Sequence, residues 1–388
     1  MPSLRHVSFR YALLFLFSLS LNGCTALTHL PHRADASNEA TATALLDVGY
    51  QDYAGVIHVH TRYSHDANGT FEDAVRVANA QRLDYLMITE HNTLRPLQEG
   101  KQGWHGGVLV LIGVEISTRA GHYLAFNITQ EIDRSRRTTQ QIIDEANRQG
   151  GFGFIAHPYY KRRRWNDWNV TGFTGLEIYN VAHDTLDENW RRLALWTIMA
   201  PAESFYDSII DRPYDPLAKW DALIQQRGKI VGIGGSDAHE IHLFGLKFAP
   251  YEIMFQMVRT HLLIPSGTLT PELVYVALRQ GHAYVAIELL GNAKGFSFTA
   301  DDGQHLLGIM GDEVRFTPRV RLNVTLPDSA EMTLFHNGRS IQTASGSTWH
   351  IPVTQPGAYR IEVTRQGKPW IFSNPIYILP STTPSSPS

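Results

Sequence analysis

From about residue 54 to residue 290, short apolar runs alternate with amphipathic segments. The runs 55–60, 83–89, 108–115, 122–128, 151–156, 175–180 and 229–235 have strand length and composition. Helical segments fall between them. Thr70 is placed to cap 71–80, and Thr138 to Gln141 fits a capping box for a helix that Gly150 ends. Residues 185–199 and 216–227 have helical spacing. Thr270-Pro271-Glu272 opens a further helix, with Gly281 after its end. Strand–helix alternation with seven strands predicts an α/β fold, either a barrel or a parallel sheet.

The period changes near residue 295. Runs at 314–325, 331–335, 339–343, 348–353, 358–364 and 369–378 are short and alternating, and Asn337-Gly338 is a hairpin signal. A small β-sandwich is expected over 293–380, followed by a disordered Ser/Thr/Pro tail at 381–388. At the other end, Arg5 and Arg10 precede an apolar run from Tyr11 to Leu21 that is too short to span a bilayer well. Leu21-Asn22-Gly23-Cys24 then resembles the lipobox of bacterial lipoproteins. That resemblance implies a signal peptide over 1–23, a lipid anchor through Cys24 and a tether to residue 50. It places the barrel (51–292) in the cell envelope, with the outer membrane favoured over the inner by Thr25.

Composition narrows the function. The 388 residues suit one large domain and a smaller one, and Cys24, the only cysteine, excludes an internal disulfide. A net charge of −3 gives no case for nucleic-acid binding. Histidine is abundant, with 18 in the chain, and many stand where strands end. His58 and His60 close the first run at i and i+2, which share a strand face. His91 follows the second, Glu115 ends the third, His157 follows the fifth, and Asp237 and His239 follow the seventh. His122 is the exception, because it begins the fourth. With Asp66, these make nine candidate metal ligands at the carboxyl mouth of an α/β sheet. Nine exceed one coordination shell and suit two or three divalent ions. The mixed imidazole and carboxylate donors admit Zn, Mn or Fe.

His58-x-His60-Thr61, Ser64-x-Asp66, Thr89-Glu90-His91-Asn92, Gly113-Val114-Glu115, Ala156-His157-Pro158 and Gly235-Ser236-Asp237-Ala238-His239 resemble the PHP (polymerase and histidinol phosphatase) superfamily. The resemblance implies a distorted (β/α)7 barrel with a di- or trinuclear site. It implies that His58, His60, Glu115 and Asp237 hold one ion. Glu115, His91, His122 and His157 hold a second, and Asp66, His91 and His239 lean towards a third. Glu90 stands where members often have Asp. A barrel followed by a β-sandwich is similar to the branch that includes aryl-carbamate hydrolases.

The expected reaction is phosphomonoester or phosphodiester hydrolysis by a metal-bound hydroxide, with no side-chain nucleophile. The substrate would be a small anion or ester. Lys161, Arg162, Arg163 and Arg164 follow the His157 turn and could clamp its anionic group. Glu177, Asn180 and His183 are further substrate-side candidates. Two alternatives stand beside this. One is a carbamate, ester or amide hydrolase with an apolar pocket of Tyr159, Trp165 and Trp168. The other is a non-catalytic surface binding protein.

Overall fold

The computed structural model describes residues 49–181, 210–243 and 246–381. Cys24 with its leader and tether, His183, the expected helix at 185–199 and nearly all of the expected tail lie outside the described residues. No described helix is long and apolar enough to cross a membrane.

Seven strands organise the first half: β1 (Tyr50–Val59), β2 (Tyr85–His91), β3 (Val108–Ser117), β4 (His122–Phe126), β5 (Phe152–Ile155), β6 (Gly175–Asn180) and β7 (Val231–Gly235). They pair in that order. The exit of β7 returns to β1 through Ser236 N to Ile57 O (2.9 Å) and His60 N to Ala238 O (2.9 Å). The α/β class is as the alternation predicts. The expectation of a wholly parallel sheet is corrected, because β4 runs antiparallel to both β3 and β5. Only four residues separate Ser117 from His122, far fewer than a parallel crossover needs.

Helices α1 (Phe71–Ala80) and α2 (Thr139–Arg148) pack outside this sheet, each started by the capping box its sequence predicts. Thr70 Oγ1 accepts from Asp73 N at 3.0 Å and Thr138 Oγ1 from Gln141 N at 3.3 Å. Each such cap is worth about 1 kcal/mol. α3 (Tyr214–Arg227) begins two residues before the expected 216, and α4 (Pro271–Gln280) ends on Gly281 in the left-handed conformation.

Strand periodicity sorts two cores. In β3, Val108, Val110, Ile112 and Val114 face the outer core with the α1 and α2 side chains. Leu109 and Leu111 face inward with Tyr85, Met87, Phe126, Phe152 and Phe154. The inward series continues through Gly113 to Glu115. Its partners across β2 are Tyr85, Met87, Thr89 and His91 in register. The sheet interior is therefore filled with aromatic and aliphatic side chains below and turns polar only at its carboxyl end. Gly113 is required at the transition, because a Cβ there would lie 2.5 Å from the Phe126 ring.

β8 (Arg259–Pro265) pairs antiparallel with the first half of β1, and β9 (Ala283–Ala286) pairs with β8. These two strands have no counterpart among the runs read from sequence. In the C-terminal half, β10 (Arg321–His336) and β11 (Arg339–Pro352) form one long hairpin, where sequence divided them into four shorter runs. Asn337 (φ +48°) and Gly338 (φ +75°) make its turn, the positive pair a two-residue hairpin requires. β12 (Gly357–Arg365) and β13 (Lys368–Ser373) follow, and β13 pairs with β9. Hydrogen bonding thus runs unbroken across the expected boundary at 292–293.

Candidate metal centre

β1 delivers two histidines through a fault in its own ladder. Up to Ile57 the odd positions face inward, Tyr53 and Ile57 joining the interior core, while Val56 faces outward. Val59 also faces outward. The phase slips by one residue at His58, where φ is +67° and the β1–β2 register breaks. The slip is what turns both His58 and His60 to the interior. Continued alternation from Ile57 would have put them on the outer face. His157 (φ +25°) and Asp237 (φ +52°) also occupy the positive region as their strands end. Backbone strain of this kind gathers at functional sites.

Glu115 is the hub. Its Oε1 lies 2.6 Å from His122 Nδ1, 3.0 Å from His157 Nε2 and 3.4 Å from His58 Nε2. Its Oε2 lies 2.9 Å from His91 Nδ1 and 3.3 Å from His60 Nε2. Asp237 Oδ1 stands 3.4 Å from both His58 Nε2 and His60 Nε2, and 3.5 Å from His239 Nδ1. Asp66 sits at the rim, 3.2 Å from His91 Nε2 and 3.7 Å from His239 Nε2. All nine sequence candidates therefore meet in one place. His122 arrives because an antiparallel strand begins where its neighbours end. His65, beside Asp66, is exposed.

The outer nitrogens are fixed by neighbours. His58 Nδ1 donates to Glu177 Oε1 at 2.6 Å, while Glu177 Oε2 accepts from His157 N (2.6 Å) and Asn180 Nδ2 (2.8 Å). His60 Nδ1 donates to Ser64 Oγ at 3.1 Å; Ser64 Oγ in turn donates to Glu90 Oε2 at 2.5 Å. Glu90 also accepts from Thr61 N and Oγ1. Glu90 thus works as a buried anchor, a role its extra methylene does not prevent. Glu177 thus supports the histidines while also lining a cavity beside His157. Sequence could have pointed there, since Glu177 is inward-facing and acidic at a strand end.

Four buried atoms of the candidate ligands have no hydrogen-bond partner: His58 Nε2, His60 Nε2, Glu115 Oε2 and His157 Nδ1. Unpaired polar atoms at zero exposure are costly unless a further partner exists. Four triads have donor atoms mutually within 4.8 Å: His58–His60–Asp237, His58–Glu115–His157, His91–Glu115–His122 and His60–His91–His239. Imidazole and carboxylate donors at this spacing fit divalent ions. The electrostatics are mutual: against the effect of burial, the carboxylates raise the His58, His60, His91 and His157 imidazoles above their usual range. Burial opposes ionisation of Glu115 and Asp237, yet the imidazoles around them, His58 foremost, hold both carboxyls well below the usual range. Burial and the neighbouring His60 push His239 down to about 4, leaving it neutral and able to donate a lone pair.

A cavity of about 510 Å³ opens beside His157 and Asn180. Of the four cations after His157, Lys161 and Arg164 line it and Arg162 and Arg163 do not. Trp165 is buried and donates to Asp167 O, and Trp168 stands behind Tyr159, so neither tryptophan floors the cavity. Arg212 and Tyr214, which no sequence motif marks, form part of its wall.

Residues 57–223 match the PHP domain. The PHP match begins one residue before His58 and takes in seven of the nine donors, with Asp237 and His239 beyond its end. Together with the donor set, it makes this a metal-dependent hydrolase. No curated protein sequence matches the chain with significance. Among solved structures, the chain is similar to a two-domain protein of Bacteroides vulgatus described as containing a predicted PHP-like metal-dependent phosphoesterase. Identity is 16%, coverage 84% of this chain and 96% of that one, and TM-score 0.42. It is also similar to PsfC of Pseudomonas syringae (16%, 59% and 90%, TM-score 0.40). A third is an amidohydrolase of Chromobacterium violaceum (14%, 48% and 87%, TM-score 0.32).

Proposed function

We propose that this protein hydrolyses phosphoesters in a di- or trinuclear metal site at the mouth of a distorted seven-stranded PHP barrel. The observation that carries the reading is the buried donor set around Glu115, with its partnerless imidazole and carboxylate atoms. His58, His60, Glu115 and Asp237 would hold one ion. Glu115, His91, His122 and His157 would hold a second, and Asp66, His91 and His239 a third. When bound, divalent ions supply Lewis acidity that activates water and draws charge from the phosphoryl oxygens. The chain's own contribution is placement. Glu177 and the Ser64–Glu90 pair fix the imidazoles, the aromatic interior excludes water from below, and the half-exposed Asp66 marks the open side.

The cations on the adjoining cavity support an anionic substrate over an apolar aryl ester, since both tryptophans of the aryl pocket stand away from it. The reading is tested with the chain from residue 25 loaded in turn with Mn, Zn and Fe, beside a chelated control. Phenyl phosphate, bis(4-nitrophenyl) phosphate and 1-naphthyl methylcarbamate are the substrates. Chelator-sensitive turnover of a phosphate ester is expected. Turnover of the carbamate alone overturns the phosphoester assignment.

A further inference from the structure

Arg212, on the cavity wall, has its geometry set by another part of the molecule. It reaches Glu362 on β12 through two parallel bonds, Nε to Oε2 and Nη2 to Oε1, both 2.7 Å. Glu362 is itself bound by Arg360 Nη1 at 2.5 Å. Arg360 forks onto Asp221 of α3 at 2.8 and 2.7 Å. Arg360 is buried, with its guanidinium over the Phe335 ring. Asp221, Arg360, Glu362 and Arg212 thus form a chain from α3 through the C-terminal strands to the cavity wall. Glu362 accepts from both Arg212 and Arg360 while Asp221 answers Arg360, so Arg212 is held in a network of two cations and two anions. Its Nη1 carries no hydrogen bond among the described residues. The Tyr214 ring lies beneath the guanidinium at 4.8 Å, so the fork is held on two sides.

Across the same cavity stand Lys161 and Arg164, the latter over the Tyr159 ring at 4.8 Å. Asp215 and Glu177 also line it, the latter engaged with His58, His157 and Asn180, so three cations face two carboxylates. The floor is His157 and Asn180, which places the cavity directly beside the donor set. At about 510 Å³ it has room for a small molecule beyond the scissile group.

We propose that Arg212, oriented by Glu362 of the C-terminal strands, binds a second anionic group of the substrate, an oxyanion separate from the one that reacts. The assignment rests on the hydrolase reading of the adjacent donors and gives the C-terminal strands a part in specificity. A guanidinium already fixed by a carboxylate loses little freedom on binding, so it discriminates more sharply than a mobile lysine.

The test measures affinity in the metal-loaded protein, using non-hydrolysable phenylphosphonate, 4-carboxyphenylphosphonate and 1,4-phenylenediphosphonate by calorimetry. Wild type is expected to bind at least one dianionic probe about tenfold more tightly than phenylphosphonate. The tighter of the two tells whether the second group is a carboxylate or a phosphate. Arg212→Ala should bring the ratio close to one, and Arg212→Lys and Glu362→Gln should leave intermediate ratios in proteins whose melting shows them folded. A wild-type ratio near one, no measurable binding of either dianionic probe, or a ratio that survives Arg212→Ala overturns the proposal. Phosphate-ester turnover is scored separately. Its absence with the affinity ratio intact defeats the phosphoester reading and leaves the Arg212 assignment standing.

Discussion

Glu177 shows how much of a metal site lies outside its ligands. One of its oxygens sets the His58 tautomer and the other ties down the His157 backbone and Asn180. Replacing Glu177 with Gln should weaken metal affinity about 10- to 100-fold with the fold retained. Competition with a chelator of known affinity measures this, and an unchanged constant would reduce Glu177 to packing. Asp237→Ala and His58→Ala should each lose bound metal outright by elemental analysis. A second buried network lies away from the site. His261 stands between Asp52 (2.8 Å) and Glu288 (3.1 Å), with Tyr284 donating to Asp52. Burial opposes charge on this imidazole, but the two carboxylates outweigh it and raise its pKa to about 9. A raised pKa favours the fold fully below the unfolded value near 6.5 and loses that favour as pH rises through 9. The contribution is on the order of 3 kcal/mol. The melting difference between wild type and His261→Gln should therefore shrink from pH 6.5 to 9.5; a constant difference would show the imidazole neutral throughout. The ligands were legible from spacing at strand ends. Glu177 was legible as a site residue but its hold on His58 was not, and His261 and Arg212 were not legible at all, because their partners come from distant strands.

At the scale of elements, the seven strand positions and the capped helices could be read from apolar runs and end signals, because both are local. The direction of β4 and the phase slip in β1 could not. His122 looked misplaced while β4 was taken as parallel, and the antiparallel pairing with β3 and β5 removes the difficulty. The slip at His58 depends on which face of β1 meets the interior, and that is a tertiary fact. Close strand approach carries its own consequence. A Cβ on Gly235 would sit 1.8 Å from Glu177 Oε1. Gly235→Ala should push Glu177 off His58 and lower metal affinity as Glu177→Gln does, although residue 235 ligates nothing. Metal binding of wild-type strength in a folded Gly235→Ala protein would show that the strands can part without cost.

For the whole molecule, the sequence marked a change of period near 295 but gave no sign that the two halves share a sheet. The ladder passes from β1 to β8, β9 and β13, and Asn374 bonds Gly232 and Ala283 from the far side. Arg360 joins the halves between Asp221 and Glu362. Arg360→Leu would leave Asp221 without its guanidinium, while Glu362 keeps Arg212, and should cost about 3–5 kcal/mol, measurable by denaturant unfolding. A loss below 1 kcal/mol would mean that water reaches Asp221. Truncation after residue 292 should give a protein without a cooperative thermal transition, because β9 keeps β8 but loses β13 on its other side. The same ladder sets an order of events during synthesis. Ala283–Ala286 leaves the ribosome as an apolar edge, and Lys368–Ser373, which covers it, follows about 80 residues later. At ribosomal speed that is a delay on the order of ten seconds. For that interval the nascent chain carries an open strand edge suited to pairing with a neighbouring copy, so its yield should depend on how closely ribosomes follow one another on the message and on the chaperones waiting at the exit.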